Sequence, residues 1–172
     1  MIFDCFTTKR LSVRDLRPII DNLPARQAIE NSLISTLTPA VLKYLPPPLL
    51  LRDRGVTFWL SERLAEGDVL LVYEQDTDEL IGLMILASDL GTGQVPAVHI
   101  GYILMETSWG KGFATELLSG FVDSVRDRKP VKLVGGVDTA NAASSRVLLK
   151  AGFERDPDLS RADVDMYVMT ID

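Results

Sequence analysis

Val98-His99-Ile100-Gly101-Tyr102-Ile103-Leu104-Met105 leads through a short gap into Trp109-Gly110-Lys111-Gly112-Phe113-Ala114, and that into Thr115-Glu116-Leu117-Leu118. The first segment is apolar and reads as a strand. The second is a glycine-bearing turn, and the third opens a helix. A strand, a glycine turn and a helix start together make a geometry that holds a phosphate. Glycine lets the backbone come close to an anion, and the free N–H groups of the first helical turn point at it. The positive end of the helix dipole adds attraction. A bare Gly-x-Gly is a weak signal. A dinucleotide fingerprint needs a third glycine, and a P-loop needs Gly-Lys-Ser/Thr. Here Gly110-Lys111-Gly112 is followed by Phe113-Ala114-Thr115, so neither is met. Lys111 is either a solvated turn residue or an aid to a phosphate.

Composition sets the frame around that turn. The chain has 172 residues, 47% of them hydrophobic, enough for one globular domain over residues 1–172 with a full core. Its formal net charge is −6, with no basic excess to neutralise a nucleic-acid backbone, so no nucleic-acid partner is expected. An acidic surface suits a cationic substrate such as an amine or a basic peptide. A polyanionic cofactor then needs a local site made of backbone N–H groups. One cysteine, Cys5, and one histidine exclude an internal disulfide and a His/Cys metal cluster, so no metal is expected. Cys5 reads as a small buried hydrophobe rather than a nucleophile. Met1-Ile2-Phe3-Asp4-Cys5 lacks the pattern of a secretory leader, and no apolar run is long enough to span a membrane. The expectation is a cytoplasmic protein with no membrane partner.

Patterning gives the order of elements. Strands are expected over 10–13, 68–74, 80–88, 97–106, 132–137 and 165–171. Helices are expected over 26–36, 39–44, 53–66, 114–126 and 141–151, with a helix start over 15–23. Pro46-Pro47-Pro48 ends a helix and sets a rigid turn. Residues 89–95 form a glycine-rich loop. The helix over 53–66 takes its apolar face from Val56, Phe58, Trp59, Leu60 and Leu64. Helices at the front, a β-meander, then βαβα and a last strand describe an α/β (α+β) fold with one mixed sheet flanked by helices.

A second strand–turn–helix unit follows the first. Asn141-Ala142-Ala143-Ser144-Ser145-Arg146-Val147-Leu148-Leu149-Lys150-Ala151-Gly152-Phe153 starts on a good helix cap and ends on a glycine stop. One reading is a capped helix and no more. The other is a pair of helix N-termini facing one cleft, with Asn141 and Ser144 reaching a ligand there.

The paired units resemble the acetyl-CoA signature of the GNAT N-acetyltransferases. Their phosphate turn, Gln/Arg-x-x-Gly-x-Gly/Ala, maps onto Trp109-x-x-Gly112-x-Ala114, with Trp109 departing from the first position. Trp-Gly-Lys-Gly-aromatic-Ala-Thr-Glu is similar to the ribosomal-protein N-terminal acetyltransferase (Rim-type) branch. Thr8-Lys9-Arg10-Leu11-Ser12-Val13-Arg14, Leu80-Ile81-Gly82, Ile100-Gly101-Tyr102 and Asn-x-x-Ser-x-Arg-Val-Leu also match that branch, in order along nearly the whole chain.

The resemblance implies a GNAT-like acyl-CoA N-acyltransferase fold and acetyl transfer from acetyl-CoA (CoA) to an amine by direct attack. It implies cofactor contacts from Ile103, Leu104 and Met105 along the pantetheine arm, from Trp109, Gly110, Lys111, Gly112, Phe113 and Ala114 around the pyrophosphate, and from Asn141 and Arg146. It implies an oxyanion-binding N–H near Leu104. Many members carry a tyrosine acid seven residues after the Asn, but this chain has Leu148 there. Ser144 is then the candidate to meet the thiol, with Asn141 beside it. His99 is the candidate base, since histidine titrates near neutral pH. Strand alternation puts His99, Gly101, Ile103 and Met105 on one face, and His99 can serve only if that face is open. Glu106 and Asp165 are the next candidates. Leu45-Pro46-Pro47-Pro48, the helix with Phe58 and Trp59, and the loop over 89–95 would wall the acceptor, though Phe58 reads mainly as core. The acceptor is a peptide N-terminal amine, or else a small molecule such as a polyamine, an amino acid or an aminoglycoside. A non-catalytic acyl-CoA-binding module is a third reading. Either a monomer or a homodimer fits.

Overall fold

A computed structural model describes every residue except 1, 2, 4, 52, 90–94, 128 and 129. The chain opens with β1 (Phe6–Thr7) and β2 (Leu11–Asp15). Four helices follow: α1 (Arg17–Ile20), α2 (Leu23–Thr36), α3 (Pro39–Leu42) and α4 (Gly55–Glu66). The meander β3 (Asp68–Glu74), β4 (Glu79–Asp89) and β5 (Ala97–Leu104) comes next. Then come α5 (Phe113–Val125), β6 (Val131–Asp138), α6 (Ala142–Lys150), β7 (Glu154–Asp156) and β8 (Val164–Ile171). The strands form one sheet in the order β1-β2-β3-β4-β5-β6-β8-β7. Its pairs are antiparallel except β5–β6, which is parallel.

Both faces of the sheet are covered, and this explains why the central strands are apolar almost without interruption. On β3, Leu70 and Val72 join one core while Val69 and Leu71 join the other. On β4, Met84 and Leu86 take the first side and Leu83 and Ile85 the second. The first core lies under α5 and α6, around Phe113, Leu117, Phe121 and Leu148. The second lies under α2 and α4, around Ile29, Leu33, Trp59 and Leu60. The mixed sheet flanked by helices is thus the architecture that the pattern implied.

Several local expectations need correction. The stretch over 15–23 is not one helix: Asp15 still pairs in β2 and only Arg17–Ile20 is helical. Asn22 then caps α2, its Oδ1 accepting from the Ala25 N–H at 3.2 Å. β5 stops at Leu104 rather than at 106, because a 3-10 turn (Glu106–Ser108) begins. Met105 therefore leaves the strand alternation and packs with Tyr102 on the α5 side, while Ile103 is buried on the α2–α4 side. Phe58 is 37% exposed, with the Arg54 guanidinium over its ring, rather than core. Cys5 is exposed, not buried. Most of the loop expected over 89–95 lies outside the described residues. Among the described residues, no helix is long and apolar enough to cross a membrane, and no cluster of His, Cys, Asp and Glu could hold a metal.

Candidate active site

The site begins where the sheet opens. β6 stays paired with β8 along its whole length, from Val131↔Ile171 to Asp138↔Val164. Its register with β5 covers only Ala97↔Lys132, Val98↔Leu133 and His99↔Val134. Beyond His99 the two strands diverge and leave a wedge. On the other edge of β5 the Met105 N–H donates to the Ile81 carbonyl at 2.9 Å, so Leu104 and Gly82 form a non-hydrogen-bonded pair. By the alternation of an antiparallel ladder, Tyr102 and Leu104 then turn their amides away from β4 and into the wedge. The Leu104 carbonyl is taken by the Trp109 indole N–H at 2.8 Å. Its N–H is left facing the wedge, beside both backbone groups of Tyr102. Gly82 permits this packing, since a Cβ there would lie 2.2 Å from the Ile103 carbonyl oxygen.

At the head of the wedge is the N-terminus of α5. Its cap is Gly112, at φ +83° and with no side chain to accept from the first turn. The first intrahelical bond runs from the Glu116 N–H to the Gly112 carbonyl, so the Phe113, Ala114 and Thr115 amides point outward. A carboxylate in a first turn often folds back onto such amides, but Glu116 is engaged elsewhere. It accepts from the Thr8 hydroxyl at 2.6 Å, the Arg10 N–H at 2.7 Å and the Arg10 Nε at 2.7 Å. Burial pushes its carboxyl upward, but the Thr8 hydroxyl, the Arg10 side chain and the Arg10 amide outweigh burial and hold it below the usual glutamate value. Arg10 also donates to the Lys111 carbonyl at 3.0 Å and lies 4.4 Å from the Phe113 ring centroid. The β1–β2 corner thus braces the glycine turn and keeps its amides free for an anion.

α6 closes the wedge from the β6 side. Asn141 caps it, Oδ1 accepting from the Ser144 N–H at 3.1 Å. Gly135 lets the helix lie close, since a Cβ there would come within 3.2 Å of Leu148, which is buried. Tyr102 reaches toward this helix. Its hydroxyl is buried without a well-aligned partner. Burial pushes the phenol above its ordinary value, and the nearby Ser144 side chain offsets part of that.

A cavity of about 720 Å³ lies at the wedge and is lined by residues from both faces of the sheet. On the α5–α6 side it is lined by the glycine turn, Asn141, Ser144, Arg146 and Lys150. On the other side it meets Tyr44, Leu45, Pro46, Leu49, Glu66 and His99. Two side chains of α4 hold that second wall. The Trp59 Nε1 donates to the Leu49 carbonyl at 2.8 Å, and Arg63, itself buried, donates to the Pro48 carbonyl at 2.6 Å. Arg63 also pairs with Glu66 at 2.7 Å.

Of the candidate residues, His99, Ile103, Leu104, Trp109, Gly110, Gly112, Phe113, Ala114, Asn141, Ser144 and Arg146 all line this one cavity. His99 is exposed, on the face opposite Tyr102. Met105 and Lys111 are not among the lining residues. The Met105 N–H is spent on β4, and Lys111 takes part through its carbonyl. Glu106 is bound by the Thr38 hydroxyl and Asp165 is paired with Arg155, so neither alternative base faces the cavity. Sequence reasoning did not single out Tyr102, Arg10, Glu116, Arg63 or Glu66. Arg10 and Glu116 lay within quoted motifs, but their pairing spans 106 residues and has no local signal.

The residues fit an acyl-CoA. A polyphosphate needs outward amides and unopposed cations, and among the described residues neither Arg146 nor Lys150 has a carboxylate partner. An extended amide-bearing arm needs a strand edge, and Tyr102 and Leu104 supply one. A split sheet with a glycine turn at its head therefore defines an α/β acyltransferase domain. The Acetyltransferase (GNAT) domain family matches residues 16–154. The chain belongs to the GNAT acetyltransferase family, whose acyl donor is acetyl-CoA. It is 33% identical over 90 residues to an uncharacterized N-acetyltransferase, YoaA, of Bacillus subtilis, a match spanning 49% of this chain and 48% of that relative. Among solved structures it is similar to a GNAT-family acetyltransferase from Bacillus anthracis, with TM-score 0.73, 16% identity, and 96% and 98% of the two chains covered. It is also similar to RimL, a ribosomal alpha-N-protein acetyltransferase in complex with coenzyme A, with TM-score 0.71, 17% identity and 98% of each chain covered.

Proposed function

We propose that the chain transfers the acetyl group of acetyl-CoA to a primary amine by direct attack, and that the acceptor is the N-terminal amine of a protein or peptide. The observation that carries this reading is the cavity at the β5–β6 wedge, lined from both faces of the sheet. It lets a donor on one face of the sheet meet an acceptor on the other.

Acetyl-CoA supplies the activated thioester. The Phe113, Ala114 and Thr115 amides hold its pyrophosphate, assisted by the α5 dipole. Arg146 and Lys150 add positive charge at the rim. Tyr102 and Leu104 align the arm by strand-like pairing, and the Leu104 N–H stabilises the oxygen on which charge develops. His99, at the open edge of the acceptor side, accepts a proton from the incoming amine. Ser144 meets the sulfur, and Asn141 fixes Ser144 by capping its turn.

The acceptor chamber supports a peptide N-terminus over a polycation. Ala40, Val41, Tyr44, Leu45, Pro46, Leu49, Ile85 and Ala87 make it largely apolar, and its carboxylates are Glu66, which Arg63 pairs, and Asp138, which accepts from the Ala140 N–H. A polyamine or aminoglycoside carries several cations and calls for several carboxylates, whereas a chain N-terminus brings one. RimL, among the structural relatives, is by name an alpha-N-protein acetyltransferase. One observation favours the non-catalytic module: the buried Leu148 where a tyrosine acid is expected.

Two measurements test the reading. Calorimetric titration should show acetyl-CoA binding, and the absence of binding at millimolar cofactor would refute the donor site. Thiol release should then occur with short peptides bearing a free N-terminus and stop when that terminus is blocked. Release with spermidine alone would move the acceptor to small molecules, and release with nothing on the panel would favour the module.

A further inference from the structure

Among the described residues that line the cavity, Tyr102 is the one whose side-chain polar atom is buried without a hydrogen-bond partner. A hydroxyl left in that state costs the free protein stability, and such a cost is typical of groups held ready for a ligand. Its position is specific. It stands two residues before the Leu104 N–H, on the α5–α6 face, opposite Ser144. Leu148, which packs against Gly135, has no proton to give. Burial pushes the phenol above its ordinary value, and Ser144 is the side chain that offsets part of that. Tyr44, Glu66, His99, Asp138, Arg146 and Lys150 are the other titratable groups lining the cavity, and none of them enters the balance that sets this phenol.

We propose that Tyr102 is the proton donor to the leaving sulfur, working with Ser144 in place of an acid on α6. This rests on the acetyl-transfer reading above. The lone pair of the neutral amine forms the new C–N bond. The C–S bond breaks and its electron pair goes to sulfur. Tyr102 gives its hydroxyl proton to that sulfur, and the phenolate regains a proton from the acylated nitrogen through the Ser144 hydroxyl. One proton leaves nitrogen and one reaches sulfur, so the protein ends as it began.

The test compares wild type, Tyr102→Phe and Ser144→Ala. In the free protein, Tyr102→Phe should leave Tm unchanged within about 2 °C or raise it, because no satisfied bond is lost. With coenzyme A bound, the thiolate absorbance followed against pH should place the thiol pKa about one unit higher in Tyr102→Phe than in wild type, a tenfold loss of thiolate stabilisation. In turnover, kcat should fall about 10²-fold with KM for acetyl-CoA within about threefold. An unchanged thiol pKa with kcat within about threefold of wild type would overturn the proposal, as would Ser144→Ala leaving kcat within about threefold of wild type. A Tm drop beyond about 5 °C in Tyr102→Phe would make the hydroxyl structural and overturn it as well. Failure of the wild type to bind coenzyme A would instead refute the donor site itself.

Discussion

Arg10→Ala should loosen the cofactor turn from a distance, and its effect can be worked from the contacts that it removes. Arg10 makes an ion pair from Nε to Glu116 at 2.7 Å, a hydrogen bond from Nη1 to the Lys111 carbonyl at 3.0 Å, and a stack over Phe113 at 4.4 Å. The side chain is 39% exposed, so the ion pair is partly screened and contributes about 0.5–1 kcal/mol. The carbonyl bond adds about 1 kcal/mol and the stack about 0.5–1 kcal/mol. The sum is about 2–3 kcal/mol, or a Tm lower by about 4–12 °C for a chain of this size. Affinity should fall for a separate reason. Without the Lys111 anchor, the ligand must order the turn itself, at about 1 kcal/mol, or roughly fivefold in Kd. Thermal melts of the free protein and calorimetric titration with acetyl-CoA measure the two effects. Repeating the titration at high salt separates lost order from lost charge, because salt screens the charge. A Tm drop of several degrees with Kd unchanged within twofold would refute the claim that Arg10 braces the phosphate turn.

The remaining predictions follow from single contacts. Glu116 is held below the usual glutamate value near 4.5. It therefore contributes stability above that pH, and the contribution is lost as pH falls through the lower folded value. Denaturant melts from pH 6 to pH 3 should show this loss in wild type and a flatter profile in Glu116→Gln. Gly82→Ala places a Cβ 2.2 Å from the Ile103 carbonyl oxygen, which backbone cannot easily yield. It should cost about 3 kcal/mol and lower Tm by about 6–12 °C, and a shift under about 2 °C would contradict the close approach of β4 and β5. Asn141→Ala removes the α6 cap, at about 1 kcal/mol and about 2–4 °C, and should also slow turnover by freeing Ser144. His99→Gln should lower kcat/KM by about 10²-fold. A kcat/KM within about threefold of wild type would exclude His99 as the base.

The elements most legible in the sequence are those whose signals are local. The strand over 68–74 is found at those bounds, because its apolar run sits between Gly67 and a turn over 75–78. The helix after the glycine turn and the capped helix at Asn141 are local in the same way. Long-range pairing decided what was not legible. β7 is Glu154-Arg155-Asp156, polar and three residues long, and it is a strand only because β8 returns beside it. Phe58 sits on an apolar-looking helix, yet the sheet takes Val56, Trp59 and Leu60 and leaves it outside. Glu106 and Asp165 looked available because Thr38 and Arg155 are far from them in sequence or in a separate strand. Tyr102 read as part of an apolar strand. Its hydroxyl gains meaning only once α6, lying over β6, brings Ser144 beside it.

The same logic accounts for an acidic chain holding a polyanion. The proposed anion site draws on α5 amides, so overall charge matters less than whether a carboxylate occupies them. Glu116 is close enough in sequence to do so, and the β1–β2 corner engages it instead. The wedge has a comparable dependence. Had β6 continued its register with β5 past His99, the Tyr102 and Leu104 amides would be spent on the sheet and the two faces would not communicate. Binding therefore rests on bonds that the fold forms elsewhere, at Glu116 and along β6–β8. Substitutions that release Glu116 should weaken cofactor binding without touching the cofactor. Substitutions that only alter surface charge, away from the glycine turn, should change it little.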